Sequence, residues 1–462
     1  MLELQRVPAS YRDSSGFVFV HNNNYYRYLS PEYMDTYRFF MESGLYGTLV
    51  QKGLLIEHEE ADEIFRERAL PGRFLRPRQL TVITYPYEWS FDMWKDAALR
   101  TLETAMEALK KGMLLKDATP FNIQFDKGKP VFIDTLSFER YTPGTPWVAY
   151  RQYCEGFLAP LLIMKYVAPE LGKLFQLYPD GIPLSLVRKM LPRKAFWNLH
   201  TYLHIWLQSK ISTKYKGGPG REENMSEGRL LTLLNGLKQY TASLNRKREE
   251  GASAWRRYYD DCHTEEYYSY KKERVLQTLQ SLKPSSLLDL GCNTGQFSLL
   301  LQEQDCRIIA LDADHSCVND LYRRIQQHQI RNITPVLSAI NHPTPAIGWS
   351  GEERSGLTER IKSDVVIALA LIHHLAISGN LPFQKIASWL AKISQHLVIE
   401  FVPKEDEKVK LLLQNRRDIF GDYTAAAFLR EFEAYFTLVD RHPLRGSIRE
   451  LFIFKRHDKI PG

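Results

Sequence analysis

Seven short runs of strand-forming residues follow one another from Ser285 towards the end of the chain, separated by helical or loop segments. The runs are SLLDLG, RIIALD, ITPVLS, SDVVIALAL, HLVIEFV, FTLVDR and ELFIFKR. Short apolar strands that alternate with helices are typical of a sheet covered by helices on both faces. The sequence therefore predicts a doubly wound α/β domain with a seven-stranded sheet over residues 285–462.

The chain is too long, at 462 residues, for one ordinary domain. Composition changes most sharply in KYKGGPGREENMSEG, Lys214 to Gly228, where glycine, proline and charge replace apolar periodicity. This change predicts a surface loop or linker, and a helical stretch follows it. We expect an α+β N-terminal domain over residues 1–225, a helical connector and lid over 226–284, and the α/β domain over 285–462.

Charge and apolar content predict a soluble globular protein. Apolar residues make up 44% of the chain and charged residues 25%. The net charge of +7 is spread over many segments, and its densest stretch, Lys210 to Lys216, is short and broken by Ser and Thr. This pattern favours a solvated surface over a nucleic-acid groove, so we expect no nucleic-acid partner.

Cysteine spacing and hydropathy predict a cytoplasmic protein. The five cysteines are odd in number and form neither a C-x-x-C pair nor a zinc-binding spacing: Cys154, Cys262, Cys292, Cys306 and Cys317. This usage fits a reducing compartment and predicts no metal site. The N-terminus lacks the pattern of a signal peptide. The longest apolar stretch, from Phe157, contains Pro160, Lys165 and Pro169, so we expect no membrane span.

The turn after the first of the seven strands, LDLGCNTG, has the pattern of a ligand-binding loop. Gly291 and Gly295 allow the chain to turn sharply into a helix near Gln296 without a Cβ in the way of a ligand. The lysine of a phosphate-binding P-loop is missing. Asp289 would repel phosphate but suits a ligand with an ammonium and a sulfonium group, such as S-adenosylmethionine. Asp312, at the end of RIIALD, is spaced to accept hydrogen bonds from ribose hydroxyls.

These positions resemble the cofactor site of the class I S-adenosylmethionine-dependent methyltransferases, which have a Rossmann-like fold. The resemblance covers roughly residues 255–462 and rests on one motif: Asp289, Gly291, Asn293, Gly295 and Asp312. It implies that S-adenosylmethionine is the cofactor. The acid that many members place after the third strand is replaced by SAIN, so we expect backbone amides and the side chain of Ser338 or Asn341 to contact the adenine.

Two histidines follow the fourth strand, in IALALIHHL, at the edge where the methyl group is expected. Because adjacent side chains point to different sides, we expect at most one of His373 and His374 to face the acceptor. Such a histidine is a candidate base, with activity falling below a pKa of about 6.5, or an acceptor-orienting group. Structural histidines are one alternative and a metal site is another; acceleration by alignment of the acceptor, without any base, is a third. Glu400, beyond the adjacent strand, is a second candidate polar contact.

Aromatic side chains are frequent just before the α/β domain: Trp255, Tyr258, Tyr259, Tyr267 and Tyr268. In similar enzymes this segment folds over the cofactor, and an aromatic face attracts a sulfonium. Core packing is an equally strong interpretation.

The N-terminal region carries an Asp, Asn, Asp set in KDATPFNIQFDKGKPVFID. Asp117, Asn122 and Asp134 have the spacing of the base and the two magnesium ligands of protein kinases and aminoglycoside-type phosphotransferases. No glycine-rich phosphate loop occurs in residues 1–80, so a degenerate kinase-like domain, a nucleotide-binding one and an unrelated fold all stay open.

Both halves together are similar to a bacterial group of two-domain methyltransferases that includes nodulation-associated proteins of rhizobia. KDATPFNIQF, FIDTLSFE, LDLGCNTG and IALALIHHL carry this similarity. It implies a methyltransferase acting on a small-molecule or saccharide acceptor. A phosphotransferase or nucleotide-binding protein, with the methyltransferase fold as scaffold, is the alternative.

Overall fold

The computed structural model describes residues 4–68, 70–210, 225–246, 264–414 and 417–459. The chain divides into two compact units. The N-terminal unit comprises Met1–Arg248 with Ala346–Arg354, and the C-terminal unit comprises Glu249–Pro345 with Ser355–Gly462. The connector expected over residues 226–284 is therefore divided between the two units. Among the described residues no helix is both long and apolar enough to cross a membrane.

The C-terminal unit is built on a seven-stranded mixed sheet, and each of the seven runs expected to be a strand is one. The strands are β10 (Ser286–Leu290), β11 (Arg307–Asp312), β12 (Ile333–Leu337), β13 (Ser363–Ala368), β14 (Ser394–Phe401), β15 (Phe436–Pro443) and β16 (Glu450–Arg456). Their order across the sheet is β12-β11-β10-β13-β14-β16-β15. Strands β10 to β14 run parallel, whereas β16 is antiparallel to β14 and β15. The Rossmann-like prediction for this half is confirmed.

The central strand β10 is buried at all five residues, as a parallel strand covered on both faces must be. The covering helices of this unit, numbered after those of the N-terminal unit, are α9 (Glu265–Leu282), α10 (His315–His328), α11 (Leu357–Arg360), α12 (Phe383–Ile393), α13 (Glu407–Leu413) and α14 (Ala425–Glu433). The helix expected to begin near Gln296 is a short 3-10 turn, Ser298–Leu301. The glycine turn therefore leads into only one tight turn of helix before the chain reaches β11.

The N-terminal unit begins with a five-stranded antiparallel sheet in the order β1-β2-β3-β5-β4. Its strands are β1 (Gln5–Arg6), β2 (Gly16–His21), β3 (Asn24–Leu29), β4 (His58–Glu60) and β5 (Arg73–Pro77). One face packs through a cluster of buried aromatic rings that includes Phe19, Tyr26, Phe65 and Phe74. These large, flat side chains give a small sheet a dense core.

Two short hairpins and a set of helices complete this unit. The hairpin strands are β6 (Met113–Leu115) paired with β9 (Phe138–Arg140), and β7 (Ile123–Asp126) paired with β8 (Lys129–Phe132). The helices are α1 (Met34–Glu42), α2 (Leu45–Gln51), α3 (Phe91–Lys110), α4 (Tyr150–Tyr153), α5 (Ala159–Tyr166), α6 (Leu184–Met190), α7 (Leu199–Thr201) and α8 (Glu227–Ser243). Helix α7 continues as π-helical turns over Tyr202–Leu207. The α+β expectation for this half agrees with these elements.

Candidate cofactor and acceptor site

The glycine turn after β10 is a run of left-handed backbone. Gly291, Asn293 and Gly295 have φ angles of 75°, 51° and 79°. A Cβ added to Gly295 would lie 2.5 Å from Leu321 Cδ1 on α10, so the Leu321 side chain would have to shift in addition to the strain of the positive φ. At Gly291 an added Cβ would lie 3.4 Å from Leu371 Cδ1, an ordinary contact distance. Only the positive φ therefore favours glycine at this position. The atoms nearest to an added Gly295 Cβ thus belong to Leu321 on α10. The sequence had suggested a different reason for this glycine, namely space for a ligand.

Asp312 ends β11 and fixes this turn. Its Oδ2 accepts a hydrogen bond from the Asn293 backbone N–H at 2.7 Å, and its Oδ1 accepts one from the Asp314 N–H at 2.8 Å. Burial raises the pKa of this carboxyl, although the backbone donors oppose that effect. Because an ionised carboxylate has about four lone-pair sites, it retains acceptor capacity for hydroxyl groups.

Asp289 lies near the end of strand β10, with only 3% of its surface exposed. Its Oδ2 accepts a hydrogen bond from Ser298 Oγ at 2.6 Å. Burial raises the pKa of Asp289 to about 7, and the nearby Asp312 charge adds to that rise. Asp289 therefore titrates near neutrality, and a cation placed beside it would favour its ionised form.

Ser338 and Asn293 complete the set of residues expected to bind the cofactor. Ser338 follows β12, its backbone N–H donates to the Asp312 carbonyl at 2.9 Å, and its Oγ lies 3.3 Å from Thr344 Oγ1. Asn293 Oδ1 accepts from the Thr294 N–H at 2.7 Å. These contacts gather the ends of β10, β11 and β12 at one edge of the sheet, where an open α/β sheet binds its ligands.

The two histidines after β13 lie against each other. The ring centroids of His373 and His374 are 4.0 Å apart with a 42° angle between the planes, so the expectation that they point to different sides is wrong. The reason is local backbone: His373 has helical backbone and directly precedes a π-helical segment, His374–Ser378, and on a helix successive side chains do not alternate as they do on a strand.

His373 is fully buried, and among the described residues neither of its ring nitrogens has a hydrogen-bond partner. Burial lowers its pKa well below 6.5, and the charges of Arg449 and Lys271 lower it further. Burial also lowers the pKa of His374 to about 4. Both imidazoles are therefore neutral at physiological pH. In this environment we do not expect activity to fall with a pKa near 6.5.

Glu400 belongs to a buried ion network. On β14, its carboxylate accepts a hydrogen bond from the Tyr267 hydroxyl and lies 2.5 Å from Lys271 Nζ and 3.5 Å from Arg449 Nη1. Burial alone would raise the pKa of Glu400, but the two cations and the hydrogen bonds outweigh it and the pKa is lowered. Its carboxylate is thus engaged by protein groups.

Arg449, the residue before β16, connects this network to Asp406. Its Nε and Nη2 donate to the two carboxylate oxygens of Asp406 at 2.8 and 3.0 Å, and its Nη1 donates to the Tyr267 hydroxyl at 3.2 Å. Sequence reasoning missed Lys271 and Arg449. The i, i+4 spacing of Tyr267 and Lys271 on α9 places both on one helix face, but a lysine there is read as exposed unless its partner is known.

The aromatic segment expected to act as a lid is only partly described. Tyr267 packs into the ion network, and Tyr268 donates from its hydroxyl to Gln296 Oε1 at 3.3 Å. Trp255, Tyr258 and Tyr259 lie outside the described residues. For Tyr267 the contacts are those of core packing rather than of an open lid.

The Asp, Asn, Asp set of the N-terminal unit also comes together, and its members bond to protein groups. Gln152 Nε2 donates to Asp117 Oδ1 at 2.7 Å. Asn122 Nδ2 donates to Ser137 Oγ at 3.1 Å, and that hydroxyl in turn donates to Asp134. Arg27, on β3, forms an ion pair with Asp134. No group of three or more His, Cys, Asp or Glu side chains in the described parts of the chain is arranged to hold a metal ion.

Comparison with known proteins agrees with the fold and the glycine turn. Residues 263–434 match the family model of a methyltransferase domain. Together with the Rossmann-like sheet, this match defines the class: the protein is an S-adenosylmethionine-dependent methyltransferase. Asp312, with spare acceptor capacity, and Asp289, which titrates near neutrality, fit a cofactor that carries ribose hydroxyls and positive charge.

A relative over the whole length gives the particular family. The chain is 32% identical over 464 residues to the nodulation protein NoeA of Rhizobium meliloti (strain 1021), and the match covers 98% of this chain and 96% of the relative. The chain therefore belongs to the family of that nodulation protein. The resemblance to nodulation-associated methyltransferases expected from the sequence is confirmed.

Solved structures with similarity to this chain include two methyltransferases. The N-methyltransferase NodS from Bradyrhizobium japonicum WM9 is 15% identical, with a TM-score of 0.31, and the match covers 43% of this chain and 99% of NodS. The bifunctional kinase-methyltransferase WbdD is 18% identical, with a TM-score of 0.31, over 44% of this chain and 42% of WbdD. The match thus spans less than half of WbdD.

Proposed function

We propose that the protein transfers a methyl group to a hydroxyl or amine of a small-molecule or saccharide acceptor at the carboxyl edge of the C-terminal sheet. The observation that carries this proposal is the gathering of Asp289, Asp312 and Ser338 at the ends of three adjacent strands, with His373 and His374 after the fourth. In open α/β sheets, ligands bind in this crevice.

Each cofactor-binding residue has a separate task in this proposal. Asp312 accepts hydrogen bonds from the ribose hydroxyls, Asp289 faces the positive end of the cofactor, and Ser338 borders the adenine. The backbone N–H groups of the turn from Gly291 to Gly295, including that of Asn293, all donate to protein acceptors, so the turn contributes its shape to the cofactor site. The cofactor itself supplies an electrophilic methyl carbon on a sulfonium, so the protein's main task is to align an acceptor with it.

We assign His374, which is partly exposed, to orienting the acceptor rather than to storing its proton, and buried His373 to positioning it by ring contact. A neutral imidazole nitrogen accepts a hydrogen bond from an acceptor hydroxyl or amine and so fixes the direction of attack. Two nearby cations, Lys271 and Arg449, oppose protonation of His373. Glu400, fully engaged with those cations, is a positioning residue that holds α9 and β14 together at the site.

The acceptor class is tested by transfer of a radiolabelled methyl group. Purified full-length protein is incubated with labelled S-adenosylmethionine and, separately, with oligosaccharides, small hydroxylated or amine metabolites, and short RNA or DNA. We expect label in the saccharide or small-molecule fraction and its loss in Asp312→Ala, while Asp126→Ala, a change in the N-terminal unit, keeps it. Label that enters nucleic acid alone would overturn the proposed acceptor class.

We further propose that the N-terminal unit has a degenerate kinase-like site without phosphotransfer activity. The order β6, Asp117, Asn122, β7, β8, Asp134 supports the kinase-like part. Arg27 supports the degenerate part, because its guanidinium pairs with the carboxylate that would otherwise hold magnesium. An active phosphotransferase or a nucleotide-binding protein is the alternative.

Thermal unfolding with and without ATP and magnesium separates these possibilities. We expect no change in melting temperature in the wild type. A rise that Asp134→Ala abolishes would establish a working nucleotide site and contradict the degenerate one. Asp126→Ala, at the end of the same hairpin, is the matched control, since it removes an aspartate outside the Asp, Asn, Asp set.

A further inference from the structure

Although basic residues occur throughout the chain, the excess of positive over negative charge lies in one stretch, which corrects the even spread expected above. Between Asp180 and Glu222 the sequence contains no Asp or Glu and eight basic residues: Arg188, Lys189, Arg193, Lys194, Lys210, Lys214, Lys216 and Arg221. This stretch alone carries +8, whereas the whole chain carries +7, so all other residues together sum to −1. A single region of the N-terminal unit therefore accounts for the basic character of the protein.

The helix within this region exposes an apolar and aromatic face. Helical backbone runs from Leu199 to Lys210 and buries Thr201, His204 and Ile205. Its opposite side, which a soluble helix normally fills with charge, carries Leu199 at 66% exposure together with Tyr202 and Leu203. Tyr202 and Leu203 follow Leu199 by three and four positions, so the three side chains form one surface stripe.

Trp197 extends this stripe before the helix begins. Its side chain is 87% exposed, which is unusual for the largest apolar residue. At the other end, Tyr202 stacks on Trp206 with ring centroids 4.8 Å apart, and Lys210 Nζ lies 3.7 Å from the centre of the Trp206 ring. Exposed Lys189, Arg193 and Lys194 precede the stripe, and within the described residues none of the three forms an ion pair.

We propose that this basic aromatic surface, Lys189 to Lys210, binds the surface of an anionic lipid bilayer. Tryptophan and tyrosine favour the boundary between lipid headgroups and acyl chains, leucine enters the apolar layer, and lysine and arginine attract anionic headgroups. Because Thr201, His204 and Ile205 on one face of the helix are buried in the protein, the helix meets the bilayer with its other face and lies on it rather than crossing it.

Nucleic acid suits this surface less well. A groove for RNA or DNA contacts phosphates with basic side chains and bases with aromatic ones, but it offers no partner to exposed leucines. The proposal is independent of methyl transfer, because it uses no residue of the C-terminal unit. It places the protein at a membrane surface whatever its acceptor is.

Sedimentation with lipid vesicles tests the proposal on the full chain. Vesicles of phosphatidylcholine alone are compared with vesicles that also contain phosphatidylglycerol, at low and high salt. We expect binding to the anionic vesicles only and weaker binding at high salt. Replacing Lys189, Arg193 and Lys194 by Gln should reduce the partition coefficient about 100-fold, and Trp197→Ala should reduce it about tenfold.

Matched variants separate this surface from general charge and hydrophobicity. Trp349→Ala removes another highly exposed tryptophan, and the triple change of Lys111, Lys127 and Lys129 to Gln removes equal charge elsewhere in the N-terminal unit; both should bind vesicles normally. The proposal fails if wild-type protein ignores anionic vesicles. It also fails if Trp197→Ala and Trp349→Ala bind alike, or if short RNA binds the wild type and displaces it from vesicles.

Discussion

Two clusters of acidic and amide side chains in this protein have similar composition but differ in how far the protein itself satisfies them. In the N-terminal unit, Asp134 is bonded by Arg27 and Ser137, and Asp117 by Gln152. At the edge of the C-terminal sheet, Asp312 receives backbone hydrogen bonds only, and nearby His373 is buried with both ring nitrogens unpartnered among the described residues.

This difference indicates which polar cluster can still form hydrogen bonds with a ligand. A buried group without a partner costs stability, about 1–3 kcal/mol, unless something else satisfies it. In the N-terminal cluster the Arg27 guanidinium pairs with Asp134, and the neutral amide of Gln152 bonds Asp117. At the C-terminal edge, Asp312 retains acceptor lone pairs, and both ring nitrogens of buried His373 have no hydrogen-bond partner among the described residues.

Removing the central anion of the ion network should have the largest effect on stability. Glu400→Gln leaves Lys271 buried without its counter-charge, so we expect the free energy of unfolding of the C-terminal unit to fall by about 3–5 kcal/mol in urea titrations. Asp134→Asn should cost less, because the side chains of the Arg27–Asp134 pair are 14% and 15% exposed and water can still reach them. Lys271→Met combined with Glu400→Gln should lose less than Glu400→Gln alone. Equal losses for Glu400→Gln and Asp134→Asn would contradict the contrast.

The second-largest effect is expected on cofactor affinity, which should depend on the C-terminal cluster and not on the N-terminal one. Asp312→Ala removes hydrogen bonds to a charged acceptor and loosens the turn at Asn293, so we expect S-adenosylmethionine binding to weaken about 100-fold in calorimetry. Asp134→Ala should leave the affinity unchanged. Asp312→Asn, which keeps the shape of the side chain, should give an intermediate loss if the protein remains folded. If Asp312→Ala bound S-adenosylmethionine with wild-type affinity, Asp312 would not be part of the cofactor site.

The raised pKa of Asp289 should make cofactor binding depend on pH. A positively charged ligand favours the ionised carboxylate, so below a pKa of about 7 affinity should fall, by about tenfold between pH 8 and pH 6. The same raised pKa means that the stabilising contribution of protonated Asp289 is lost as pH rises through about 7. Asp289→Asn should abolish the pH dependence of binding. A pH-independent affinity in the wild type would show that Asp289 does not face the charge.

The smallest effect concerns the histidines. With the pKa of His374 at about 4 and that of His373 well below 6.5, turnover at saturating cofactor should change less than about twofold between pH 7.5 and pH 5.5. His373→Gln, which keeps a hydrogen-bond acceptor, should retain more activity than His373→Ala. An acidic limb near pH 6.5 that disappears in His373→Gln would restore the role of a general base.

Local sequence chemistry predicted much of the C-terminal fold and part of its site. The seven strands and the turn from Gly291 to Gly295 follow from apolar runs and glycine spacing, which act within a few residues. The contact between His373 and His374 did not follow, because their relative direction depends on a π-helical turn that no residue pattern marks.

By itself, the sequence determined the class of fold, the glycine turn and the position of Asp312, since each depends on neighbours along the chain. Only the tertiary structure decided which polar groups are satisfied. Tyr267 meets Glu400 across 133 positions, and Arg27 meets Asp134 across 107. Such pairs form only when packing excludes water and brings distant segments together, so composition and spacing carry no record of them.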